Sequence, residues 1–143
     1  MSRALLDINV LIALLDRAHI HHIRARTWLE ANIGEGWASC PITQNGCVRI
    51  LSQPAYPLPV SPHEAITRLR TATQTIHHTF WPDSPSLLDA ELIDASRILG
   101  ARQLTDVYLL ALAVRNQGRF VTFDGGIALN IVRGARPEHL VTL

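Results

Sequence analysis

Residues 4–16 read ALLDINVLIALLD, an apolar run interrupted twice, by Asp7 and Asn9. The piece Ala4 to Asp7 suits a short strand. Val10 to Leu15 is too continuously apolar for alternation and reads as a buried helix. Asp7 therefore falls at a strand-to-helix junction. A carboxylate held among buried groups is costly unless it is paired, solvated on one side or bound to a cation. An apolar strand leading straight into an apolar helix has no need of an acid, so Asp7 is read as a functional residue.

The same strand-then-helix pattern continues outward. HIHHIRARTWLEAN, residues 19–32, places Ile20, Ile23, Trp28 and Leu29 at loosely helical spacing, with Arg24 and Arg26 off that face. Gly34 and Gly36 end it, and GWASC reads as a second strand. PITQNGCVRILSQP has Pro41 at a helix start and Pro54 beyond its end, with Gly46 an unfavourable residue inside. After the proline-rich connection YPLPVSP, the residues Ser61, Pro62 and Glu64 form a capping box for a helix from about Pro62 to Gln74. HHTFWPDSPS gives a short strand and a turn. LLDAELIDASRIL, closed by Gly100, has amphipathic helical spacing. In LTDVYLLALAVRNQG, Thr105 is the expected N-cap, Asp106 lies in the first turn and Gly118 is the stop. RFVTF, ending at Asp124, and HLVTL complete the strands. Strands alternating with helices predict a single α/β domain over residues 1–143, with a mostly parallel sheet flanked by helices on both faces.

Composition narrows the chemistry. The chain has 143 residues, 48% of them hydrophobic, enough for one core, and a formal charge of +1, so any nucleic-acid contact must come from a local basic surface. All thirteen basic residues are Arg. The lack of Lys excludes a Walker A loop, Schiff-base catalysis and phosphoryl-transfer sites that pair Asp with Lys. Cys40 and Cys47 lack paired metal or redox spacing and read as buried thiols of a reducing compartment. No uninterrupted apolar run reaches the length of a membrane span, and Asp7 and Asn9 spoil a signal-peptide core, so a cytoplasmic protein with no membrane partner is expected.

In parallel sheets, sites form beyond the carboxyl ends of the strands. Asp7 and Asp124 each end a strand, and Asp106 opens a helix; all three can project over one rim. Without a cation of the protein in those motifs they repel one another, and must bind a proton or a metal. Oxygen ligands select a hard ion, Mg²⁺ or Mn²⁺, and such an ion suits phosphodiester hydrolysis. Taken singly, Asp106 also fits a helix-dipole acid, and Asp124, before Gly125 and Gly126, an ordinary turn residue.

At these residues the sequence resembles a PIN-domain ribonuclease, and more narrowly a VapC-type toxin of a bacterial toxin–antitoxin pair. The resemblance is carried by LLDINVLIALLD, TQNGCVRILSQPAYP, FWPD, LTDVYLLALAVRNQGRFVTFD and EHLVTL, in order over most of the chain. It implies a metal-dependent endoribonuclease acting on structured RNA such as tRNA. Asp7 and Asp106 become the principal Mg²⁺ ligands, and Asp124 completes the shell or holds a water of the cation. Asn9 and Thr122 become supporting polar groups. It further implies a homodimer inhibited by a small VapB-like antitoxin. Where many PIN domains carry a middle Glu, this chain has Gln44, Asn45 and Gly46. Gln44 or Asn45 can offer only a neutral carbonyl, which predicts weaker metal binding and makes a second metal doubtful. That departure also motivates the alternative of a degenerate PIN fold that binds RNA or a protein without cutting it.

Other polar residues divide between function and solvation. Arg49, in the middle motif, is the candidate for substrate contact. His19, His21 and His22 with Arg24 and Arg26 suit either RNA contact or a solvated helix entry. Trp28, Trp37 and Trp81 suit packing. Asp89, Glu91 and Asp94 read as a charged helix face, one of which is a potential substitute for the absent Glu.

Overall fold

The central strand of the sheet is β1 (Ala4–Leu6), buried at every residue. The computed structural model describes residues 2–143. Around β1 lie β2 (Trp37–Ser39), β3 (His78–Phe80), β4 (Arg119–Thr122) and β5 (Leu140–Thr142), in the order β3-β2-β1-β4-β5. Every pairing is parallel, and Leu5 stands between Ala38 and Phe120. The expected mostly parallel sheet is thus wholly parallel.

Alternation along the strands divides the core. Leu5 and Phe120 pack with α5 (Leu104–Arg115) on one face. Ala4, Leu6 and Val121 pack on the other face with α1 (Ile8–Leu15), α2 (His22–Asn32), α3 (Pro41–Leu51) and α4 (Pro62–Thr73). Strands buried from both sides need apolar residues at successive positions, which is why ALL and FVT lack a polar face. Parallel pairing brings Asp7, Cys40, Trp81 and Asp124, each just past its strand, to one rim. Among the described residues no helix is long and apolar enough to cross a membrane.

Helix boundaries reveal local physics. Ser61 Oγ accepts a 3.1 Å hydrogen bond from Glu64 N, while the Glu64 carboxylate pairs with Arg68 instead of completing the box. Gly46 is tolerated inside α3 because a Cβ there would lie 2.4 Å from Ile8 Cδ1: the glycine lets α3 close on α1 beside Asp7. Helix α5 begins at Leu104, preceded by Gln103, so Thr105 is inside the first turn rather than its cap. At the other end Gln117, not Gly118, takes the left-handed conformation (φ 56°). Gly118 N donates to Ala113 O at 2.8 Å and Gln117 N to Val114 O at 3.0 Å, a Schellman closure. Gly118 is required instead by crowding, since a Cβ would meet the Arg3 carbonyl oxygen and the Trp81 ring, each at 2.6 Å.

Two further expectations are corrected. Residues 87–99 form no α-helix: Ile93 bridges antiparallel to Val132, Asp94 N donates to Ile131 O, and Arg133 N donates to Leu92 O. Ser86 and Asp89 accept from the backbone N–H groups of Leu88 and Glu91, turning the chain locally, while Leu92 and Ile93 are buried by the 129–133 segment. Helix α2 also has a different phase. It buries His22 and Ala25, and leaves Ile20 (87% exposed) and Ile23 (70%) outside. His22 sets that phase: its Nδ1–H donates to Ala13 O at 2.7 Å, anchoring α2 to α1.

Trp37 and Trp81 are buried, and Trp28 lies half-buried beneath the Arg119 guanidinium at 4.9 Å. Both cysteines are buried free thiols, and burial pushes Cys47 up to about 12.

Candidate active site

Asp7 ends β1 and is the N-cap of α1, with extended backbone (φ −61°, ψ 159°) that turns the chain from strand to helix. Its Oδ1 accepts from Ile8 N at 2.7 Å and its Oδ2 from Thr122 Oγ1 at 2.6 Å. The Thr122 hydroxyl, wholly buried at the end of β4, also accepts from Asp124 N at 3.0 Å. One threonine thus ties together two acids delivered by adjacent strands. Burial pushes the Asp7 carboxyl above its ordinary value, and Asp124 adds to that shift, against the two hydrogen bonds that favour its charge.

Asp106 comes from the opposite direction, on the first turn of α5. It shares with Asp7 a cleft of about 450 Å³ that is also lined by Asn9, His19, Ile50, Tyr56 and Thr105. With Asp124 it lines a second, smaller cavity of about 90 Å³, beside Arg102 and Gln103. Asp106 is therefore the member common to both sides. Burial, the charge of Asp7, and a side-chain hydrogen bond with Asp124 together raise it to about 7. Among the described residues none of the three acids forms an ion pair.

The donor set suits a hard cation. Asn9 Oδ1 is buried in this cleft without a hydrogen-bond partner, a carbonyl dipole left unsatisfied beside two carboxylates. Repulsion among Asp7, Asp106 and Asp124 is what a divalent ion would relieve. Among the described residues no three acidic, His or Cys side chains are closed into a ligand shell; the cleft of about 450 Å³ that Asp7 and Asp106 share has room for water and substrate oxygens.

The other site candidates separate from this cluster. Gln44 Nε2 donates to Ser39 Oγ at 3.0 Å, and Gln44 lines the groove between α3 and α4 rather than the acid cleft. Arg49 lines that same groove, with Arg70 opposite. Asp94 is engaged by Ser96 and Arg97 and Asp89 by Arg115 at 3.8 Å, and none of Asp89, Glu91 and Asp94 lines the acid cleft. The residue missed in the sequence is Tyr56, within the proline-rich connection. It reaches the cleft wall while its hydroxyl donates to Asp16 Oδ2 at 2.5 Å. A lone aromatic amid prolines was its only signal.

The PIN domain family model matches residues 4–130 of the chain. The chain is 58% identical over 141 residues to Ribonuclease VapC44 of Mycobacterium tuberculosis (strain ATCC 25618 / H37Rv), covering 99% of each. It is 43% identical over 126 residues to Ribonuclease VapC39 of that strain, covering 87% of this chain and 91% of the other. The fold is similar to a crystal structure of VapBC2 from Rickettsia felis bound to a DNA fragment from their promoter. That likeness has a TM-score of 0.56 at 14% identity and covers 85% of this chain and 87% of that one.

Proposed function

The chain belongs to the PIN-domain family and, within it, to the VapC-type ribonucleases, and from the site it carries we propose a Mg²⁺- or Mn²⁺-dependent endoribonuclease, the toxin of a toxin–antitoxin pair. The observation that carries the proposal is the shared cleft of Asp7 and Asp106, two carboxylates that form no ion pair among the described residues and whose neighbour Asn9 has an unsatisfied carbonyl.

Asp7 and Asp106 would hold the cation directly, with Asp124 completing the shell. When bound, a divalent ion lowers the pKa of a water and offsets charge on a phosphodiester. The chain's own residues do the rest. Thr122 fixes Asp7 Oδ2 and the backbone of Asp124, so the carboxylates are aimed before substrate arrives. Asn9 orients a ligand or water from its place in the cleft. Gln44 supports the rim from β2 through Ser39, and Arg49, with Arg70 in the neighbouring groove, contacts the RNA beyond the cut. The glycine at position 46, pressed against Ile8, supplies no charge, which favours a single cation.

Partners follow from the family. A structured RNA such as tRNA is the substrate, a VapB-like antitoxin is the inhibitor, and a homodimer is the working form. The decisive experiment is cleavage of bulk tRNA by purified protein with Mn²⁺. We expect turnover that is abolished by chelation and reduced at least about 100-fold by Asp7→Asn. Equal turnover by a clean Asp7→Asn preparation contradicts the site. Binding without turnover in the parent chain contradicts the enzymatic reading and leaves a non-cleaving PIN fold.

A further inference from the structure

Between α1 and α2 the chain turns through residues 16–21, and this turn connects the acid cleft to a basic and aromatic cluster that the proposed metal chemistry does not use. His19 lines the cleft with Asp7 and Asp106. His21 N donates to His19 Nδ1 at 3.0 Å, and the His21 ring lies 4.9 Å from the ring of Phe123. Arg24, one helical turn on, places its guanidinium carbon 5.0 Å from the centre of the same Phe123 ring and its Nη2 3.0 Å from His21 Nδ1. Phe123 itself stands between Thr122, which holds Asp7, and Asp124. The cluster is therefore built from the strand end that carries the site.

Arg24 differs from its neighbour Arg26. Arg26 is engaged by Glu30 at 2.8 Å, whereas among the described residues Arg24 has no carboxylate partner, although it is exposed. Its contact over the ring and its bond to His21 place the guanidinium but use only part of its five donors. A guanidinium seated over an aromatic ring on an exposed Arg, beside a phosphodiesterase cleft, suits a phosphate or an unstacked base. We propose that Arg24, His21 and His19, seated on Phe123, form the rail along which the RNA strand enters the acid cleft, with Arg24 binding a backbone phosphate outside the scissile one. This rests on the ribonuclease reading above and adds positioning residues to it.

A phosphate contact has a signature that packing lacks. Removing one contact lowers the slope of log K against log salt by about 0.7 for a single strand. Because Arg24 is remote from the reacting atoms, its loss should raise KM and leave kcat nearly unchanged. The test measures fluorescence anisotropy of labelled bulk tRNA over a salt series, with Asp7→Asn as the non-cleaving background, and compares Arg24→Gln with Arg26→Gln. Arg24→Gln retains most of the stem over Phe123, and Phe123→Leu serves as a second variant that removes the seat while leaving the charge. We expect Arg24→Gln to weaken binding about five- to tenfold at low salt and to reduce the slope by about 0.7, with Arg26→Gln unchanged and Phe123→Leu intermediate. In the cleaving chain the same change should appear in KM. If Arg24→Gln binds tRNA with the parent's affinity and slope, the proposal is overturned, and a loss confined to binding of a VapB-type antitoxin overturns it in favour of a protein-docking surface. A parent chain that neither binds nor cuts tRNA overturns the ribonuclease reading itself, which separates that failure from failure of the rail.

Discussion

Thr122 Oγ1 donates to Asp7 Oδ2 at 2.6 Å across 115 residues of sequence, and through this bond the ends of β1 and β4 hold one carboxylate in a fixed direction. The hydroxyl is buried and serves two partners, so its loss leaves both the Asp7 oxygen and the Asp124 N–H without it.

Thr122→Val is expected to lower kcat about 10- to 100-fold, as removal of a group that orients metal ligands does. It should also destabilise the chain by about 1–3 kcal/mol, because a buried acceptor is left unpaired. Thr122→Ser keeps the hydroxyl and should recover most of the activity. Steady-state cleavage and urea melts of the three proteins check this; a valine variant as active as the parent beside an impaired serine variant would show that the methyl, not the hydroxyl, matters.

Asp106 sets the pH response of the metal-free chain. Its carboxyl rises from an ordinary 3.8 to about 7 on folding, chiefly through burial and then through Asp7. The folded chain thus binds more protons than the unfolded one between those values. This contribution to stability is complete below 3.8 and is lost as pH rises through 7. With chelator present, Tm should fall between about pH 4 and 7, and Asp106→Asn should flatten the fall. Mn²⁺ should raise Tm most at the upper end, where the acids are charged. Thermal melts across that range decide it; a parent profile already as flat as the variant's would remove Asp106 as the source.

Neighbouring residues after α5 should respond in opposite senses to loss and gain of a side chain. Gln117 occupies the left-handed region, so Gln117→Gly should stabilise the chain by roughly 1 kcal/mol. Gly118→Ala should destabilise it by about 1–3 kcal/mol, because the new methyl meets the Arg3 carbonyl and Trp81. Denaturant midpoints of both variants test the pair, and destabilisation by Gln117→Gly would contradict the conformational argument.

These particulars show what was legible in the sequence. Asp7 stood out because an acid in an apolar strand-to-helix run has no packing reason, and the structure places it at the rim beside Thr122. Asp106 and Asp124 were visible as element-end acids, although their meeting required knowledge of strand order. The segment 87–99 misled because buried Leu92 and Ile93 mimic a helical stripe while Ser86 and Asp89 bend the backbone away from it. Ile20 and Ile23 misled because a hydrogen bond from His22 to Ala13, not hydrophobicity, fixes the rotation of α2. Gln44 and Arg49 share a motif with a rim strand's helix, but the phase of α3, locked by Gly46 against Ile8, turns them into another groove. Period and composition locate elements; such long-range contacts set their rotation.

The central claim is that Asp7 and Asp106 hold one divalent cation. Anomalous diffraction from crystals soaked in Mn²⁺ measures this directly. The expected result is a single manganese peak per chain with oxygens of Asp7 and Asp106 at roughly 2.1–2.3 Å, absent in Asp7→Asn crystals soaked alike. Soaked parent crystals with no peak between these two carboxylates, or with manganese bound only elsewhere, would contradict it.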